Sequence, residues 1–202
     1  MKLITVPASP YGRKVRAMLH EIGKTGAVEI VHDNPWTADT AVPGANPVGK
    51  VPVLVLDDGT ALYDSAVICE YLDHLAGGSG LYPAPGPARW TALRQQRLAD
   101  QLMDAFVLRR LEGNRPEERR HAPWIERQWS VVQRCLDAAE AEAPGLDPDR
   151  PTIGQLALAA SLAHLDFRRD SDPDWREGRP GLAAWYERFA ERPSMQATPP
   201  HD

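Results

Sequence analysis

The 202-residue sequence predicts a small mixed α/β unit followed by an all-helical one. Three observations carry this reading. Short β-rich runs alternate with helical periodicity through residue 76. A run of chain breakers follows, Gly77-Gly78-Ser79-Gly80-Leu81-Tyr82-Pro83-Ala84-Pro85-Gly86-Pro87. Beyond it, every apolar pattern has helical spacing. The expected organisation is residues 1–76, a linker over 77–88, and a helical region over 89–202.

Lys2-Leu3-Ile4-Thr5-Val6 reads as a strand that Pro7 ends. Val15, Met18, Leu19 and Ile22 then fall on one helical face. Ser9 suits the N-cap of that helix, Pro10 its first turn and Gly23 its stop. Ala27 to Val31 is a second strand candidate, followed by a polar loop with Pro35, Trp36, Pro43 and Pro47. Val51 to Leu56 is a third, Asp57-Asp58-Gly59 a hairpin turn, and Thr60 to Tyr63 a fourth. From Ser65, the positions Val67, Ile68, Tyr71, Leu72 and Leu75 mark an amphipathic helix.

In the second half, Leu98, Leu102 and Phe106 recur at helical spacing, as do Ile125, Trp129, Val132, Leu136 and Ala139 after Pro123. Thr152-Ile153-Gly154-Gln155 has the capping-box pattern ahead of Leu156, Ala157, Ala160 and Ala163. A last helix begins near Pro180 and carries Leu182, Trp185 and Phe189, leaving a polar tail from Pro193.

Composition narrows the function. A net charge of −5 argues against general nucleic-acid binding, which needs a basic footprint. The cluster Arg109, Arg110, Arg115, Arg119 and Arg120 reads as a solvated helix end and loop. No apolar run approaches the roughly 20 residues of a membrane span, and the N-terminal run is too short for a secretory leader. The expected location is therefore the cytoplasm. Two cysteines make no disulfide framework, and the six histidines show no metal-ligand spacing, so no metal is expected.

Ser9, the Val51-Pro52 step and Asp64-Ser65 stand out together. Asp64-Ser65 suits a helix start, where an acid meets the positive end of the helix dipole. Proline at a strand start is unusual and suggests a special backbone geometry, such as a cis peptide. Two helix N-termini and an irregular strand start offer backbone donors to a small anionic, peptide-like ligand.

Three segments then carry a family resemblance. Ser9-Pro10-Tyr11-Gly12-Arg13-Lys14-Val15-Arg16 resembles the catalytic-serine segment of cytosolic glutathione S-transferases. Asn46-Pro47-Val48-Gly49-Lys50-Val51-Pro52-Val53-Leu54 is similar to their cis-proline segment. Tyr63-Asp64-Ser65-Ala66-Val67-Ile68-Cys69-Glu70-Tyr71-Leu72 is similar to their acidic-Ser motif. Order and spacing match as well, and the likeness is closest to bacterial members of the serine type.

The resemblance implies a thioredoxin-like N-terminal domain, an all-helical C-terminal domain, and glutathione as co-substrate with no metal. It implies that Ser9 hydrogen-bonds the glutathione sulfur and that Val51, before a cis Pro52, pairs with the cysteinyl backbone. Asp64 and Ser65 would hold the γ-glutamyl end and Lys50 the glycine carboxylate. A small hydrophobic electrophile would sit between the domains, with Tyr11, Trp36, Met103, Phe106, Arg110 and Phe167 as candidate lining. Tyr11 offers a second hydroxyl near the sulfur. An arginine beside the cleft would favour an acidic acceptor. The implied activity is transfer of glutathione to an electrophile by a homodimeric detoxification enzyme that binds neither nucleic acid nor membrane. The alternatives are a glutathione-dependent disulfide reductase or peroxidase, and a non-catalytic scaffold. Serine in place of the cysteine of thiol-transferase branches weighs against the reductase. Cys69 is expected to be core, and Gly12 carries no special expectation.

Overall fold

The structure, a computed structural model, describes residues 1–169 and 172–202. The first half contains β1 (Lys2–Thr5), α1 (Pro10–Glu21), β2 (Glu29–His32), the one-turn α2 (Val42–Ala45), β3 (Val53–Val55), β4 (Ala61–Leu62) and α3 (Ser65–Leu75). The second half is helical: α4 (Pro87–Gly113), α5 (Ala122–Glu142), α6 (Ile153–Phe167), α7 (Pro180–Ala190) and the one-turn α8 (Pro193–Gln196).

The sheet order is β2-β1-β3-β4. β1 and β2 run parallel, while β1–β3 and β3–β4 are antiparallel. This is the thioredoxin-like layout. Leu3, Leu54, Val15, Met18, Leu19, Ile68 and Leu72 fill the space between the sheet and helices α1 and α3, and all are buried. Burying such side chains contributes about 1.5–3 kcal/mol each.

The expected strands are longer than the observed ones. β3 begins at Val53, because Pro52 has no N–H to give a ladder. Ala27 closes a 3₁₀ turn, so β2 starts later. The hairpin turn forms as expected: Leu56 N–H donates to the Thr60 carbonyl (2.8 Å), and Gly59 adopts φ 88°.

Two departures come from tertiary context. The segment from Pro193 forms α8 and packs on α1. There Arg192 donates through Nε and Nη2 to Glu21 (2.9 and 2.7 Å), and Arg13 Nη2 donates to the Met195 carbonyl (3.1 Å). Gly12 also has a definite role. A Cβ there would lie 1.9 Å from Thr5 Oγ1, so glycine is what lets α1 start against the end of β1. We expect Gly12→Ala to cost about 1–3 kcal/mol by overpacking. Thr5→Ala should recover at least half of that in the double variant, read from urea-unfolding midpoints.

α6 is the central helix of the second half. Residues Ile153 through Leu165 are all buried, against α4 on one side and α1 on another. Its start is half a capping box. Thr152 Oγ1 accepts from the Gln155 N–H at 3.5 Å, while Gln155 Oε1 is buried with no hydrogen-bond partner among the described residues.

Candidate functional site

The sheet topology brings the three expected segments to one end of the molecule. β1 runs toward Ser9, and Ile4 pairs with Val53, so the start of antiparallel β3 lies beside the end of β1. β4 returns antiparallel to β3, with Leu62 opposite Leu54, so Asp64 and Ser65 emerge at the same end. β2 is parallel to β1 and delivers the Trp36 loop there too.

Ser9 is the N-cap of α1, with φ −71° and ψ 120°. Its Oγ accepts from the Gly12 N–H at 3.1 Å. Capping uses an oxygen lone pair, so the hydroxyl proton remains available to a second partner. Half-burial and the positive end of α1 surround that proton with positive potential.

The Val51–Pro52 peptide is cis, and the Tyr63–Asp64 peptide is cis as well. The turn before Pro52 is stapled by buried Asn46. Its Nδ2 donates to the Lys50 carbonyl (2.8 Å), and its Oδ1 accepts from Val48 N–H (3.0 Å). Gly49 takes φ 69° at the tip. Val51 lies outside β3, half-buried, and the Lys50 side chain is exposed. Asp64 caps α3, its Oδ1 accepting from Ala66 N–H at 2.9 Å while the carboxylate faces solvent. Ser65 beside it is buried.

The acceptor-side candidates divide. Tyr11 donates its hydroxyl proton to Asp104 Oδ1 at 2.5 Å, and burial together with that carboxylate pushes its pKa up. Its one proton is therefore committed to α4 rather than offered to a sulfur. Met103 and Phe106 expose about 1 % of their surface, so they back the wall without lining it. Trp36 is 75 % exposed on its loop. Phe167 and Arg110 are half-buried at the ends of α6 and α4. Arg109, expected in a solvated cluster, instead donates to both oxygens of Asp172 (2.6 Å each) and stacks over Trp129 with Cζ 4.6 Å from the ring centroid.

Sequence reasoning missed His164. It is 6 % exposed, edge-on to Phe106 with centroids 5.9 Å apart and next to Phe167 at 6.0 Å. Burial, reinforced by Arg168, Arg110 and Arg13, pushes its pKa down to about 4, with the Ala8 backbone acting in the opposite sense. In sequence it is a polar residue within an apolar helix, and no ligand spacing marks it.

Cys69 is fully buried, as expected, and burial pushes its thiol up to about 12; burial also raises Cys135. Among the described residues, no group of three or more His, Cys, Asp or Glu could hold a metal ion. No described helix is long and apolar enough to cross a membrane.

The comparisons converge on one family. Residues 8–75 match the model of the glutathione S-transferase N-terminal domain, and residues 122–188 that of its C-terminal domain. The chain is 32% identical to the Escherichia coli uncharacterized GST-like protein YibF, covering 99% of this chain and 98% of that one. A glutathione transferase family member from Pseudomonas fluorescens Pf-5, solved with bound glutathione, superposes with TM-score 0.90 at 41% identity, covering 100% of this chain and 99% of that one. The glutathione-bound glutathione S-transferase of Methylobacillus flagellatus KT gives TM-score 0.92 at 34% identity over 99% of both chains. With both family models in sequence order, and the sheet and helices arranged as that order demands, the chain belongs to the glutathione S-transferase family.

Proposed function

We propose that this protein binds glutathione at the shared end of β1, β3 and α3, ionises its thiol and transfers it to a small electrophile. The observation that carries the reading is Ser9. Its oxygen caps α1 while its proton stays free, beside a helix N-terminus, at the place where the family motif puts the sulfur. The glutathione-bound relatives support the ligand.

A free thiol with a pKa near about 8.5 is only about 3% thiolate at neutral pH. Lowering that pKa by about 2 units takes roughly 2.7 kcal/mol of preferential stabilisation of the anion. A charge-assisted hydrogen bond contributes about 1.5–3 kcal/mol, and the helix terminus adds to it. Ser9 thus acts as a donor to the substrate sulfur and not as a nucleophile. Val51 is the backbone partner for the cysteinyl unit, Asp64 and Ser65 hold the γ-glutamyl end, and Lys50 reaches the glycine carboxylate.

Burial raises both cysteine thiols, so a disulfide-reductase variant of this reading would run through the glutathione thiolate at Ser9 and not through a protein cysteine. The reading includes a cytoplasmic homodimer acting in detoxification.

Ser9→Ala tests the assignment. The pKa of bound glutathione, followed by ultraviolet absorbance of its thiolate, should rise by about 1–2 units. Loss of the cap would by itself lower stability by about 0.5–2 kcal/mol. A variant that melts lower yet titrates like the parent would reduce Ser9 to a cap.

A further inference from the structure

We propose that the acceptor end of this site is built for an electrophile bearing a carboxylate, received by Arg168 above Phe167, and that Asp202 competes for the same guanidinium. The proposal rests on the transferase reading above and names its acceptor class.

Arg168 directly follows α6. Its Cζ lies 4.0 Å from the centroid of the Phe167 ring. Its two terminal nitrogens engage both oxygens of Asp202: Nη1 donates to Oδ2 at 2.9 Å and Nη2 to Oδ1. A planar fork meeting a planar carboxylate, backed by an aromatic face, is the arrangement that distinguishes arginine from lysine in carboxylate recognition. The fork is therefore already shaped around the group it would take from an acceptor.

Its surroundings tie it to the sulfur site. Phe167 contacts His164, and His164 contacts Phe106, so three rings lead from the core of α4 out to Arg168. His164 also faces the backbone of Ala8, the residue before Ser9. Packed rings thus connect the Ser9 end of the molecule to the guanidinium, with half-buried Phe167 the outermost of them. An apolar electrophile body with an acidic end matches that order.

Asp202 is the more exposed partner. Its side chain is 73% exposed, against 22% for Arg168. It can leave without uncovering any core. Hydrogen bonding from Arg168, aided by Arg110, holds its carboxyl below the usual range, so it remains an anion and a competitor at neutral pH.

The test uses product-type probes, which need no turnover. Calorimetry would compare S-(4-carboxybenzyl)glutathione with its carboxamide, and S-(2-carboxyethyl)glutathione with its carboxamide. In the parent protein, the acid of at least one pair should bind fivefold or more tighter than its amide. Arg168→Gln should abolish that preference, chiefly by weakening the acid. Asp202→Asn should strengthen the acid two- to fivefold and leave its ratio to glutathione itself raised. Equal binding of acid and amide in both pairs overturns the proposal, as does an Arg168→Gln variant that keeps the preference. If glutathione binds but no acid is preferred, the acceptor class fails while the transferase reading stands. If glutathione itself does not bind, both fail.

Discussion

Replacing Lys14 with methionine should destabilise the protein by about 3 kcal/mol, and replacing Asp100 with leucine by up to about 5 kcal/mol, from the general cost of leaving one member of a buried ion pair alone. Lys14 Nζ donates to Asp100 Oδ1 at 2.7 Å, and the two side chains are 2% and 8% exposed. The asymmetry comes from the neighbours. Without Lys14, Asp100 still has Arg97 at 3.5 Å from its other oxygen. Without Asp100, the buried ammonium loses its one ion pair among the described residues. The pair joins α1 to α4 one turn from the Tyr11–Asp104 hydrogen bond, so it also fixes the helix that carries Ser9. The double variant Lys14→Met/Asp100→Leu removes both charges and should return to within about 1–2 kcal/mol of the parent, since well-packed apolar replacements of buried pairs are often neutral. Urea unfolding of the four proteins closes a double-mutant cycle. Additive losses would show that the pair carries no mutual stabilisation.

The second large effect is on acid stability. Free histidine titrates near 6.5, whereas burial drives His164 down to about 4. Between those values the unfolded chain takes up a proton that the folded chain refuses, so the unfolded state binds more protons and stability rises with pH. The contribution is complete above about pH 6.5 and is lost as pH falls toward 4. A shift of this size corresponds to about 3 kcal/mol at 1.36 kcal/mol per unit. His164→Gln should therefore flatten the decline of stability between pH 7 and 4.5 relative to the parent. Carboxylates such as Glu21, which burial raises but the Arg192 and Ser194 bonds together hold low, titrate in both proteins and cancel in the comparison. Parallel profiles for parent and variant would remove His164 as the acid-sensitive group.

Much of the candidate site was legible because its residues are local. Ser9, Asp64 and Thr152 cap the helices that follow them, and a cap is written within four residues of sequence. The Val51-Pro52 step is equally local, since proline announces its own irregularity. What stayed hidden depends on partners far along the chain. Lys14 and Asp100 lie 86 residues apart, and only the approach of α1 to α4 brings their charges together. Gly12 looks ordinary until Thr5 is placed beneath it. The polar residues from Pro193 read as a loose tail because the signal that makes them a helix is Glu21 on α1. Arg168 is one arginine among many, and only the rings of Phe167 and His164 distinguish it.

The all-round burial of α6 has a consequence for the order in which the protein can be made. α1 rests on α6, yet more than a hundred residues separate Glu21 from Ile153. At about 5–20 residues per second, a ribosome takes on the order of ten seconds to deliver the missing cover. Through that interval the α6-facing side of α1 stays wet, and the emerging α/β half must avoid self-association. Its exposed Lys24, Glu29 and Lys50 give it charge with which to do so, before its permanent neighbour has been translated.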